Sequence, residues 1–302
     1  MKNKYVDIES ISDLHNFYGH SKPKHPLISI IDLKEIDANN RPKDSTLYRL
    51  GFYTIFFKTN RGVLKYGKSN YDFDEGSLIF TAPYQVISTS PTLQFDEGWG
   101  FFFHPDLLNT SALGKKISSY SFFSYDSNEA LHISEDEKQI IKECIGNIKR
   151  EYSQNIDKHT ERLIQSNIEL FLNYCNRFYD RQFFTRSPVN NDIVQRFEKT
   201  LKDYFSQDTL IEAGLPDVKY LASRLNLSPN YLSDLLNKYT GKTTQEHIHL
   251  QLIDKAKVLL CSTDKSVSEI AYELGFDYPS HFTKIFKRKT NLTPIQFKRS
   301  FN

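Results

Sequence analysis

The sequence predicts an α+β chain: a β-rich N-terminal region, two long amphipathic helices, and an all-helical C-terminal region built on a duplicated unit. Three observations carry this prediction. Up to about residue 125, short aromatic and β-branched runs alternate with Gly-bearing turns. From about Ser134 the apolar period lengthens to that of a helix. From about Ile193 onward, one pattern of apolar positions occurs twice.

The strand-like region comes first. GFYTIFFKTNRGVLKYG reads as two strands around the loop Thr59-Asn60-Arg61-Gly62. YDFDEGSLIFTAPYQVIS turns at Asp74-Glu75-Gly76 before another apolar strand, and QFDEGWGFFFHP is a strand stopped by Pro105. A helical turn is expected at Asp106 to Leu108. Such strands suit a small antiparallel barrel or sandwich.

Two helices follow. Ser134 to Glu137 has capping-box form, and Ile140, Ile141, Cys144, Ile145 and Ile148 make one stripe. A second helix is expected from about Asp157 to Phe184, with Leu163, Leu170, Phe171, Tyr174 and Phe178 on one face. Their apolar surface exceeds what one small β domain covers, which predicts a homodimer contact. RSPVNN around Pro188 reads as a linker.

The duplicated unit is the most specific signal. Val218, Leu221, Ala222, Leu225 and Leu227 fall on Val267, Ile270, Ala271, Leu274 and Phe276 at an offset of 49. After one extra residue, Leu232, Leu235, Leu236 and Thr240 fall on Phe282, Ile285, Phe286 and Thr290 at an offset of 50. Each first helix ends four residues past a small Ala, at Asn226 or Gly275, residue types that accept a left-handed backbone. Ser228 or Asp277 is then a candidate N-cap, with Pro229 at the first helical position. Two helices across so short a turn form a helix-turn-helix, whose second helix can enter a major groove. Between the units, Thr243 to Glu246 is another capping box, opening a helix to about Leu260 that holds the units apart.

Composition bounds the function. At 302 residues, with 39% apolar and 25% charged residues, the chain reads as soluble and long enough for two domains. No apolar run suits a membrane span, and MKNKYVDIES lacks a signal peptide's apolar core, so a cytoplasmic protein is expected. Cys144, Cys175 and Cys261 are widely spaced and expected as buried free thiols. From Tyr278 to Asn302 there are six basic residues and no acidic one, which favours an anionic partner over a plain solvated tail once the helix geometry is added.

These residues carry a resemblance. AYELGFDYPSHFTKIFKRKTNLTPIQFKR and SRLNLSPNYLSDLLNKYTG look like the DNA-binding domain of the AraC/XylS family of bacterial transcriptional regulators. The likeness covers about a third of the chain, with Leu252 standing where many members carry Arg. It implies a cupin-like regulatory domain at 1–130, dimerisation helices at 131–187, and a DNA-binding domain at 188–302 with units at about 218–239 and 267–290. It implies base reading by Asn230, Ser233 and Asp234, then by Pro279, Ser280, Thr283 and Lys284. Ser228, Tyr231, Lys287 and Arg288 would touch phosphate, while Ala222, Asn226, Ala271 and Gly275 shape the turns. The implied partners are double-stranded DNA, a second copy of the chain, RNA polymerase and a small organic effector; activation is the expected sign of regulation.

The competing reading is a cupin-type binder or enzyme with an accessory nucleic-acid module. A metal cupin needs clustered His and a carboxylate, and the predicted strands GFYTIFF, VLKYG and SLIFTAPYQV hold no His. His104 stands alone before Pro105, and His15, His20 and His25 lie near an expectedly flexible start. No enzyme, metal or cofactor is therefore expected. Tyr53, Phe57, Tyr66 and Trp99 either line a ligand cavity or form ordinary core.

Overall fold

The computed structural model describes residues 5–36, 46–58, 65–66, 69–70, 76–89, 98–109, 111–206 and 210–300. The expected turn residues Thr59 to Gly62, Asp74 and Glu75, and the Tyr66 side chain, lie outside this description. Two compact units divide the chain, Met1–Thr185 and Arg186–Asn302.

The first unit opens with elements that the sequence reading left flexible. Strand β1 (Tyr5–Ile8) leads into helix α1 (Ile11–Tyr18), which Ser10 caps by accepting from the Asp13 N–H. Gly19, left-handed at φ 70°, closes that helix. Strands β2 (Ile28–Asp32), β3 (Thr46–Leu50), β4 (Tyr53–Lys58), β5 (Lys65–Tyr66), β6 (Ser69–Asn70), β7 (Ser77–Thr81), β8 (Val86–Thr89), β9 (Gly98–Phe103) and β10 (Leu131–His132) follow. They form a five-stranded sheet ordered β10-β7-β4-β9-β2, a three-stranded sheet β1-β3-β8 and the small β5-β6 ladder. Among the described residues neither larger sheet closes on itself, so the barrel expectation resolves into open sheets.

Alternation along β4 and β9 explains how the five-stranded sheet is buried on both faces. Phe56 and Phe102 meet at 5.6 Å on one face, where Phe102 joins Phe52, Leu50, Tyr48 and α1's Ile11 and Leu14 in one cluster. On the other face Phe57 stacks on Trp99 at 5.5 Å, and Phe101 lies 6.0 Å from Phe171 of a long helix. His104 accepts from the Asp106 N–H and so starts the helical turn Pro105–Leu107. A short helix, α2 (Ala112–Lys116), and further helical turns carry Phe122 and Phe123 to the same core.

Helix α3 (Glu135–Ser153) begins at the expected Ser134–Glu137 capping box. Helix α4 (Thr160–Thr185) packs against it, burying Ile164, Ile168, Phe171, Cys175 and Phe178. Leu163 and Leu170, placed on the buried face from sequence, are each 45% exposed. Gln182 fastens α4 to β10: its Oε1 accepts from the His132 N–H at 2.7 Å and its Nε2 donates to the Ala130 carbonyl at 3.1 Å. Arg181 donates to both Glu137 carboxylate oxygens and to the His132 carbonyl. Cys144 and Cys175 are buried, whereas Cys261 is exposed, against expectation.

The second unit is helical throughout. RSPVNN is not an extended linker: α5 (Ser187–Ser206) already includes Pro188, which is tolerated in a first turn. A short α6 (Leu210–Ala213) precedes α7 (Val218–Leu225), α8 (Pro229–Thr240), α9 (Thr244–Ser262), α10 (Val267–Glu273), α11 (Pro279–Thr290) and α12 (Pro294–Arg299). The core runs through both copies of the repeat, from Leu221, Ala222, Leu232 and Leu236 to Ile270, Ala271, Phe282 and Phe286, joined by Ile248, Leu252 and Ala256 of α9.

Candidate nucleic-acid interface

The duplication extends to individual hydrogen bonds. Asn226 is left-handed at φ 58° and ψ 44°, and its partner Gly275 has φ 82°. Just beyond each, the chain folds back: Leu227 N–H donates to the Ala222 carbonyl and Phe276 N–H to the Ala271 carbonyl, both at 3.0 Å. Ala222 and Ala271 are fully buried, so each turn closes over a methyl group that leaves room for the following helix. A Cβ on Gly275 would stand 2.6 Å from the Leu210 carbonyl oxygen, which is why the second copy takes Gly where the first takes Asn.

The second helices then start differently. In α8, Ser228 is the N-cap and Pro229 the first residue. In α11 the cap is Tyr278, with no side-chain capping bond, rather than the expected Asp277. The extra residue of the second copy lies in this turn, which shifts the start by one position.

Both second helices end alike. Thr240 Oγ1 donates to the Leu236 carbonyl and Thr290 Oγ1 to the Phe286 carbonyl, each at 2.8 Å. Gly241 and Asn291 follow in the left-handed region. Capping boxes then open the next helices, Thr243 with Glu246 and Thr293 with Gln296. The second box uses Gln in place of Glu.

The expected base-reading residues separate into two groups. Asn230, Ser280 and Lys284 are exposed, and Pro279 and Thr283 are half-exposed early in α11. Ser233 instead turns toward α9, its Oγ 3.0 Å from Thr244 Oγ1, and Asp234 is half-buried. Of the expected phosphate contacts, Lys287 and Arg288 are exposed in the last turn of α11. Ser228 and Tyr231 are 3% and 5% exposed, and the Ser228 Oγ is engaged by the Tyr231 N–H. Ser228 thus caps α8, and both side chains are buried in that turn.

The charge around α11 extends beyond its own residues. Burial pushes the His249 imidazole of α9 below its ordinary value, and the nearby Arg288, Lys289 and His281 push it the same way. Glu246, whose carboxylate accepts from Thr243, is held down further by Lys289 and Lys242. The start of α9 and the end of α11 therefore share one cationic surface. Lys242, His249 and His281 were missed because this proximity is tertiary. His281 also sets its ring edge-on to Phe276 at 5.7 Å, next to the second turn.

Such a surface offers side-chain donors early in α11 and exposed cations in its last turn, the groups that read base edges and hold phosphates. No helix among the described residues is long and apolar enough to cross a membrane.

Residues 221–300 match the family described as "Helix-turn-helix domain". The chain is 34% identical over 118 residues to the regulatory protein PocR of Salmonella typhimurium, covering 39% of this chain and 37% of that protein. It is 32% identical over 120 residues to the transcriptional activator RhaS of Salmonella newport, covering 39% and 41%. Among solved structures, the C-terminal domain of AraT, a response regulator from Geobacillus stearothermophilus, is 30% identical over 36% of this chain and 84% of that one, with a TM-score of 0.32. The chain thus spans about two fifths of the length of these two curated relatives.

Proposed function

We propose, on the premise that this chain carries a helix-turn-helix DNA-binding domain of the AraC/XylS type, that it regulates transcription by binding a specific DNA sequence. The observation that carries this reading is the duplicated turn, closed over Ala222 and Ala271, that presents α8 and α11 in equivalent settings. Asn230 in α8 and Ser280, Thr283 and Lys284 in α11 are the base readers, with Pro279 shaping the entry of α11. Asp234 contributes at the margin of α8. Lys287 and Arg288 hold phosphate, joined by Lys289 and Lys242.

The rest of the chain regulates this binding. Residues 1–130 are read as a cupin-like regulatory domain that takes a small organic effector, and 131–187 as the dimerising segment. Leu163, Leu170 and Phe184, spaced at multiples of seven along α4 and 45%, 45% and 79% exposed, support a face for a second copy. A cytoplasmic homodimer that activates by working with RNA polymerase is the form this reading takes.

The test is genome-wide mapping of sites bound by the full-length protein, followed by gel-shift titration on the recovered sequence. A shared motif bound at least about a thousandfold more tightly than random DNA is expected. Binding that is equal on motif and random DNA would reject the reading.

A further inference from the structure

A cleft of about 660 Å³ lies within the second unit, a volume inside the range of small-molecule sites. Ile211 and Glu212 of α6 line it, together with Tyr272 of α10 and Phe276, Asp277 and Tyr278 of the turn that follows.

Two glycines explain how the cleft is built. Gly214, just past α6, has φ 71°, and Gly275, just past α10, has φ 82°. A Cβ on Gly275 would lie 2.9 Å from the Gly214 Cα, so only glycine lets these two stretches of backbone meet. The residues that flank this contact in sequence are the ones that line the cleft.

The lining is apolar and acidic together. Ile211, Tyr272 and Tyr278 are 64%, 52% and 73% exposed, so large apolar side chains gather here without cover. Glu212 and Asp277 are exposed beside them, and neither makes an ion pair or a side-chain hydrogen bond among the described residues. No Lys, Arg or His lines the cleft. Lys255 and Lys265 line an adjoining cleft that shares Ile211 and Tyr272, but the Phe205 carbonyl holds the first and Glu273 the second. Two uncompensated carboxylates therefore stand beside two tyrosine rings. An ammonium group is attracted by both, to the carboxylates by charge and to the ring faces by their quadrupole.

We propose that this cleft binds a small organic ammonium ion, its charge between Glu212 and Asp277 and its apolar body against Ile211, Tyr272 and Tyr278. Asp277 and Tyr278 immediately precede α11, so the bound cation offsets negative charge next to the helix read as a DNA reader. The site itself goes beyond that reading, and only its effect on DNA rests on it.

The experiment titrates full-length protein with 2-phenylethylammonium and benzyltrimethylammonium by ligand-observed NMR, with neutral 2-phenylethanol as control. Saturable binding of at least one cation is expected, with Kd below roughly 1 mM and about tenfold weaker binding of the alcohol. The double variant Glu212→Gln/Asp277→Asn, with its fold checked by circular dichroism, should weaken cation binding by about fivefold or more. Tyr278→Leu keeps an apolar side chain but loses the ring face, and should weaken it by about threefold. Binding of neither cation, equal binding of the alcohol, or unchanged affinity in either variant would overturn the proposal. At matched ionic strength, saturating cation should tighten specific DNA binding by about twofold. Unchanged DNA affinity would reject that coupling and leave the site standing, whereas a free protein that binds no specific DNA would count against the DNA reading alone.

Discussion

Asn226 and Gly275 hold the same left-handed backbone 49 positions apart, and the residue after each returns its N–H to a buried alanine carbonyl at 3.0 Å. The two helix-turn-helix units are therefore alike in the bond that closes each first helix. They differ in what surrounds it: Gly275 abuts the Leu210 and Gly214 backbone, whereas Asn226 is exposed.

That difference sets a stability prediction. Asn226→Ala should cost about 1 kcal/mol, the expense of a left-handed alanine. Gly275→Ala adds a clash with backbone that cannot rotate away, and should cost about 3 kcal/mol. Urea unfolding of the full-length variants measures both. Equal losses would mean that the α10–α11 turn relaxes freely.

A pH prediction comes from His15. Burial first, and His20 second, hold its imidazole below the ordinary value of 6.5, although the Ser21 carbonyl it contacts pulls the other way. Its Nε2 also lies 2.8 Å from the Ser29 Oγ. A histidine whose folded pKa is depressed costs nothing above pH 6.5, where it is neutral in both states. Below that pH the unfolded chain binds the proton more readily, so stability falls as pH falls from 6.5 toward the folded value. His25, His247 and His249 act with the same sign. Unfolding midpoints should therefore drop between about pH 7.5 and 5.5, and His15→Gln should flatten that slope. A slope unchanged in the variant would remove His15 from the account.

The exposed face of α4 carries the dimer prediction. Leu163→Glu with Leu170→Glu places charges on a surface that should be covered by a second copy, at little cost to the monomer because both side chains are already half in water. Sedimentation should show the parent dimeric at tens of micromolar and the variant monomeric. A dimeric variant, or a monomeric parent, would place the contact elsewhere or nowhere.

Much of this architecture is written locally, and that part was legible. Capping boxes at Ser134 and Thr243 fix helix starts within four residues, and the repeat fixes both turns. The N-terminal elements were overlooked although Ser10 and Gly19 bracket α1 as cap and stop, because the segment after them is rich in Lys, Pro and His. Exposure was less legible than periodicity. Leu163 and Leu170 share a spacing with the buried stripe but sit about 100° from Ile164, which leads it. The burial of Ser228 and Tyr231, which the resemblance offers as phosphate contacts, was likewise not legible in the sequence. His249 comes beside Arg288, Lys289 and His281 only once α9 and α11 are folded together.

Two kinds of DNA contact should separate by mutation. Lys284→Ala should alter preference at one base position and cost roughly 1–3 kcal/mol, whereas Arg288→Ala should weaken all sequences alike and reduce the salt slope by about one unit. Equal losses for Lys284→Ala on specific and random DNA would move Lys284 to the phosphate set.

The central claim is that α8 and α11 each read a major groove. The 19 residues of α9 lie between the two units and span about 28 Å at 1.5 Å per residue. Successive major-groove faces on one side of B-DNA lie about 34 Å apart, so the helix together with the width of its neighbours reaches one turn but not two. Each chain should protect two short boxes about 10 base pairs apart. The direct measurement is affinity for the mapped site after inserting five base pairs between those boxes. Loss of tight binding is expected, because half a turn carries one box to the far side of the duplex; unchanged affinity would mean that only one of the two helices touches bases.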